Sequence, residues 1–142
     1  MIGRRGPPAI HSGAGALGVA GSAYGAHAAA AGNLLARSQV PAVMIEEFER
    51  ATGHLGARLL GALRAGLDAG GEATAVHSAG LLIVRELSWP IVDLRVDWSD
   101  SDPIAELASI WERYAPQIEA YVQRALDPAG APGFEVSGDD PR

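Results

Sequence analysis

The chain has no cysteine, which removes disulfides, cysteine-ligated zinc and thiol catalysis at once. It has no basic run either. Eleven basic residues face seventeen acidic ones, for a net charge of −6. A phosphate backbone is held by clustered cations, so nucleic-acid binding is not expected. No apolar stretch approaches the roughly 20 residues needed to cross a bilayer, so no membrane partner is expected. At 142 residues the chain holds one domain at most, yet it is long enough to bury a real core.

What it has in abundance is glycine, 18 residues, much of it before residue 35. Residues 12–32 are mostly Gly and Ala, with Tyr24 and His27 among them. Three readings compete for this stretch. One is an export signal of twin-arginine type: Arg4-Arg5, a mild apolar stretch, then small residues at Ala26-His27-Ala28. Against it, the core of the stretch is glycine-rich and carries a His and a Tyr. The second is a dinucleotide fingerprint, since Gly13-Ala14-Gly15-Ala16-Leu17-Gly18 fits G-x-G-x-x-G. That motif works only between a strand and a helix, where the pyrophosphate meets the helix N-terminus. Pro7-Pro8 leaves little room for the strand, Gly21 and Gly25 break the helix, and no acidic residue follows at the required distance. The third reading, two short strands with glycine turns packed close to other backbone, is preferred. No cofactor and no metal are expected, and the location expected is cytoplasmic, with export through the Arg4-Arg5 signal as the alternative.

The middle of the chain is helical. Val40, Val43, Met44, Phe48 and Ala51 recur at helical spacing over Val40–Thr52, with Pro41 in the first turn and Gly53 at the end. Leu55, Leu59, Leu60, Leu63 and Leu67 line one face of a second helix over Leu55–Ala69, stopped by Gly70-Gly71. Gly56, Gly61 and Gly66 each weaken that helix by about 1 kcal/mol relative to Ala, and each permits close approach by a neighbour.

Strands follow. Leu81–Val84 is a continuous apolar run of the kind a strand buried on both faces shows. Leu87-Ser88-Trp89-Pro90 interrupts it, and Pro90 belongs at the start of the next strand because it lacks a donor. Ile91–Asp97 alternates: Val92, Leu94 and Val96 fall on one face, Asp93, Arg95 and Asp97 on the other. Two strands joined by about four residues read as an antiparallel hairpin. Asp102 then caps a helix, Pro103 fits its first position, and Ile104, Leu107, Ala108, Trp111, Ala115, Ile118 and Val122 form its apolar stripe. Pro116 is placed to kink it. The pattern is α+β, with helices covering antiparallel strands. Residues 1–8 read as an extension, 9–126 as the domain and 127–142 as a flexible acidic Pro/Gly tail.

The polar candidates each carry two readings. His11 and Ser12 have the chemistry of a base and a nucleophile, but neighbours on a strand point to opposite faces. Asn33 is either an oxyanion donor or the cap of the next turn. Ser78, after His77, reads as a strand entry as much as a ligand contact. Asp93, Arg95 and Asp97 make either an ion-paired surface stripe or an acidic metal site, for which two carboxylates are few. His54 falls near a helix end, Trp89 at the hairpin turn, and Trp98 and Trp111 are read as packing residues.

The blocks Ile10-His11-Ser12-Gly13, Gly32-Asn33-Leu34-Leu35, Gly70-Gly71-Glu72, Ser78-Ala79-Gly80-Leu81-Leu82 and Asp93-Leu94-Arg95-Val96-Asp97, in this order, resemble the C-terminal part of the domain of unknown function 1028 family, over roughly His11 to Tyr114. The resemblance implies a partial Ntn-hydrolase-like α-β-β-α sandwich. It also implies amide-bond hydrolysis by the intact domain on a small molecule or peptide. His11, Ser12 and Asn33 are then the candidate catalytic residues and Ser78, Asp93, Arg95 and Asp97 the candidate substrate contacts. The departures are informative. Family members begin with further strands and helices, and an Ntn hydrolase attacks with an N-terminal Thr, Ser or Cys whose own amine is the base. This chain starts Met1-Ile2. It has Ala31 where the family often has Gln, and Ala73-Thr74-Ala75-Val76-His77 where a basic stretch is usual. The expectation is a truncated domain, inactive alone. The second expectation is a non-catalytic binding or self-assembly module, homo-oligomeric through its open edges.

Overall fold

The structure, a computed structural model, describes Gly6 and residues 8–133. The elements run β1 (Gly21–Tyr24), β2 (Ala29–Gly32), α1 (Val40–Arg50), α2 (Leu55–Asp68), β3 (Ala79–Ile83), β4 (Val92–Val96), α3 (Pro103–Tyr114), a 3-10 turn (Ala115–Gln117) and α4 (Ile118–Leu126). This is the α+β class. Arg4-Arg5 and the tail from residue 134 lie outside the described residues.

The two middle helices form an antiparallel pair, stitched at the end of α1. Arg58 donates from Nη2 to the carbonyl of Phe48 at 2.9 Å, and its guanidinium lies 4.1 Å from the centre of the Phe48 ring. The start of α2 is set by His54, which is more than the surface residue expected there. Its Nδ1 accepts from the Gly56 N–H at 3.1 Å, a capping bond that satisfies one of the free donors of the first turn. The same ring lies 4.9 Å from that of Trp111. Gly56 sits flat beneath Trp111: a Cβ there would overlap the indole. Gly71, at φ +58, ends the helix in the left-handed region that a Cβ disfavours.

The third helix opens as its sequence requires. Asp102 Oδ1 accepts from the Ala105 N–H at 2.9 Å and Pro103 occupies the first turn. Leu107 and Val92 are fully buried, and with Leu81, Ile83, Leu94, Val96, Trp111 and Ile118 they build the main core between α2, α3 and the β3–β4 hairpin. Burying a side chain of that size contributes about 1.5–3 kcal/mol, so this cluster dominates the stability of the chain. Tyr114 closes its edge by donating to the carbonyl of Ile91 at 3.2 Å, and burial pushes its phenol pKa up. Pro116 does what an interior proline must: the helix tightens into the 3-10 turn and resumes as α4.

The strands form two separate ladders. β1 pairs antiparallel with β2, Gly21 opposite Gly32 and Tyr24 opposite Ala29. β3 pairs antiparallel with β4, Ala79 opposite Val96 and Ile83 opposite Val92. Each sheet has two strands. The preferred reading of the glycine-rich region is what the structure shows, and the G-x-G-x-x-G stretch leads into a strand, not a helix. Ala26 and His27 form the tip of this first hairpin.

Four expectations are corrected. Leu81 and Ile83 are buried, but Leu82 and Val84 are 58% and 62% exposed, so the apolar run is covered on one face only. Residues 84–91 form an eight-residue connection, twice the expected length. Trp98 is no core residue; it is 67% exposed, stacked on His77 with ring centres 4.3 Å apart and donating to Asp100. The first residues of the tail are tied back to α4, since Gln123 donates to the Gly130 carbonyl at 2.8 Å and Arg124 to that of Gly133 at 2.9 Å. Among the described residues helices cover antiparallel strands, as the α+β pattern requires.

Candidate functional site

The candidate polar residues do not form one cluster: Asn33 and Ser78 line one hollow, and the others lie elsewhere. His11 and Ser12 lie in an exposed loop before β1, and neither is joined by a hydrogen bond to another candidate. Asn33, exposed in the turn after β2, donates from Nδ2 to the carbonyl of Leu17 at 3.3 Å. It ties down the preceding loop and caps no helix. Leu34 beside it has φ +53, a conformation L side chains rarely hold, and its N–H reaches the same Leu17 carbonyl at 3.0 Å. Ser78 is exposed just before β3. Asp93, Arg95 and Asp97 share the outer face of β3–β4, with Arg95 Nε 3.6 Å from Asp97 Oδ1. Among the described residues no group of three or more His, Asp and Glu is placed to hold a metal ion. No helix among them is long and apolar enough to cross a membrane.

What the fold does assemble is a cleft, and it brings two of the candidates, Asn33 and Ser78, to one end of it. β2 forms one wall and β3 the other, and α1 and α2 form the floor. Two adjoining hollows of about 260 and 310 Å³ share Met44, Leu63 and Gly80, so the cleft is continuous. Its floor is apolar: Met44 and Phe48 from α1, Leu59 and Leu63 from α2. Asn33, Glu72 and Ser78 are its polar residues, all towards one end.

That end is closed. The chain just after β2 meets the chain just after α2 in an antiparallel bridge between Leu35 and Glu72. Ala36 donates to the Gly71 carbonyl at 3.0 Å and Ala73 to that of Leu34 at 2.8 Å. From this bridge the two hairpins diverge like a fork. One hollow touches Ala31, Gly32 and Ser78–Gly80; the next touches Ala28–Ala30 and Gly80–Leu82. β2 therefore runs towards the bridge and β3 away from it, antiparallel to each other across the gap.

The edges facing the cleft can be read from the ladders. Gly25 donates to Ala28 at 3.0 Å, and Ile83 and His77 accept from Ile91 and Ser99 at 2.9 and 2.7 Å. Antiparallel pairs alternate between bonded and non-bonded residues. The alternation turns the main-chain groups of Ala29 and Ala31, and of Gly80 and Leu82, towards the gap. Sequence reasoning singled out Asn33 and Ser78 but missed the rest of the site, because its parts are small or apolar. The available signal was Leu81–Val84, an apolar run longer than one buried face requires.

The sequence model of a family described as of unknown function (DUF1028) matches residues 1–107. No curated protein matches the chain. A crystal structure of a Silicibacter pomeroyi protein, assigned to the same family model, is similar at 31% identity with a TM-score of 0.60. The match covers 68% of this chain and 42% of that one. More than half of that relative thus has no counterpart here.

Proposed function

The chain belongs to the DUF1028 family of unknown function, and on that footing we propose that it works as a non-catalytic binding and assembly module that takes up polypeptide. The observation that carries this reading is the cleft: two strand edges with free main-chain groups, held apart over an apolar floor. Open edges of this kind recruit strands, and β-augmentation draws its affinity from main-chain hydrogen bonds and its specificity from the side-chain pockets between them.

Amide-bond hydrolysis, with the Ntn-hydrolase-like construction that the resemblance implies, is proposed for the longer family domain and not for these residues alone. A nucleophile and its base must lie within hydrogen-bond reach, and His11, Ser12, Asn33 and Ser78 form no such set. The test is a pair of assays on the purified 142-residue chain. It is expected to leave a panel of amide and peptide substrates intact, and to bind polypeptide or itself with saturation. Turnover that disappears in Ser12→Ala or Ser78→Ala, with no polypeptide bound, would overturn the reading.

A further inference from the structure

We infer that the exposed indole of Trp98 is a platform for an arginine side chain of a partner polypeptide, the guanidinium stacking on its open face and pairing with Asp100. The inference takes its class of partner from the reading above and adds a contact outside the cleft. A tryptophan gains most from burial, yet Trp98 is 67% exposed and belongs to neither core cluster. It is nevertheless held in place. Its ring lies on that of His77 with 4.3 Å between centres and 3° between planes. Its indole N–H donates to Asp100 Oδ1 at 2.9 Å.

The holder is itself held. His77 donates from Nδ1 to the carbonyl of Ser99 at 2.8 Å, and its own carbonyl accepts from the Ser99 N–H at 2.7 Å. Ser99 is buried and donates from Oγ to Glu106 Oε1, in the first turn of α3. A line of contacts thus runs from an exposed ring to a helix packed on the main core. A side chain ordered in advance loses little entropy on contact, and tryptophan is among the residues most enriched where binding energy concentrates.

The surroundings select the occupant. His77 covers one face of the indole, and a tryptophan face is the best aromatic partner for a cation. The nearby carboxylates differ in how they are answered. Asp97 meets Arg95 and Asp102 meets Arg64, whereas Asp100 bonds to a neutral N–H and keeps its charge beside the ring. A guanidinium is planar, so it stacks on the open face as His77 does on the other, and its fork of N–H donors fits a carboxylate. An ammonium has no such plane. Val76 and Ser78, on either side of His77, line the cleft, so the platform borders the cleft's polar end.

The probe is a short blocked peptide with one arginine among glycines, titrated into the 142-residue chain. The resonances to follow are the Trp98 indole N–H and the Ser101 amide. Both should shift and saturate, and added salt should weaken the complex. The same peptide with citrulline, which is planar but uncharged, should bind about fivefold or more weaker. Trp98→Leu and Asp100→Asn, followed at Ser101, should each weaken the arginine peptide about fivefold or more, and Trp98→Phe should recover part of the loss. Should Trp98→Leu lose the circular dichroism of the parent, the citrulline comparison on the native sequence decides. Equal binding of the two peptides, or full binding by a folded Trp98→Leu chain, sinks the platform and leaves the polypeptide-binding reading to its own saturation assay. Shifts confined to Met44, Leu63 and Gly80 do the same, because they place the peptide in the cleft. An arginine peptide held at Trp98 by a chain whose cleft takes no polypeptide keeps the platform and removes the cleft reading.

Discussion

Gly56 and Gly61 stand five residues apart on one helix and have opposite reasons to be there. At Gly56 the indole of Trp111 occupies the space a Cβ would need. At Gly61 the nearest atom is Glu47 Oε1 at 3.7 Å, an ordinary contact. Gly56→Ala is expected to destabilise by about 1–3 kcal/mol through overpacking, despite the better helix propensity of Ala. Gly61→Ala is expected to stabilise by up to about 1 kcal/mol. Urea unfolding of the two variants reads the contrast directly, and a Gly56→Ala protein as stable as the parent would place Trp111 elsewhere. From the sequence all three helix glycines carried the same interpretation, because a glycine does not announce its neighbour. Only the third dimension separates the one that admits a ring from the one that admits solvent.

At the scale of elements, the start of α3 is the best-specified junction in the chain. Asp102 holds the Ala105 N–H and pairs with Arg64 Nη2 at 2.7 Å. The backbone N–H first, and the guanidinium second, keep its carboxyl below the usual aspartate range. Asp102→Ala should cost about 0.5–2 kcal/mol, nearly all of it as a lost cap, since a pair this exposed contributes little. The sign of the pH dependence follows from the lowered folded-state value. The stabilisation from ionised Asp102 is fully present above the unfolded value, near about 3.9, and is lost as pH falls through the folded one. Denaturation midpoints of wild type and Asp102→Asn should therefore differ at neutral pH and converge as pH falls well below about 4. A gap that persists in acid would assign the effect to shape, not charge. This cap, with α1, α2 and β4, was legible in the sequence because each has its own periodicity or terminal residue. Strand β3 was half legible. Its apolar run indicated a strand but not which face is covered, because periodicity registers apolar residues and not the partner that meets them. The candidate site was legible only in part: Asn33 and Ser78 stand at one end of the cleft, His11 and Ser12 are loop residues outside its lining, and the rest of that lining is mostly Ala, Gly, Met and Leu, which no pattern singles out.

For the whole molecule, the two ladders share no strand, and the helix pair beneath carries both. The outer face of the strand layer is mixed: Tyr24, Leu82 and Val84 are exposed beside Asp93, Arg95 and Asp97. Such a surface is neither greasy enough for an obligate core nor as polar as a free sheet face usually is.

The forked layer also decides when in time a sheet is made. The first ladder closes over residues 25–28 and the second over 84–91, both short loops, and short loops close at little entropic cost. Among the described residues, pairing between distant segments, the slow step in most sheet proteins, is confined to the Leu35–Glu72 bridge. Stopped-flow refolding of the chain alone should show a fast phase independent of concentration. A dominant slow phase would place the rate-limiting step in the Leu35–Glu72 bridge.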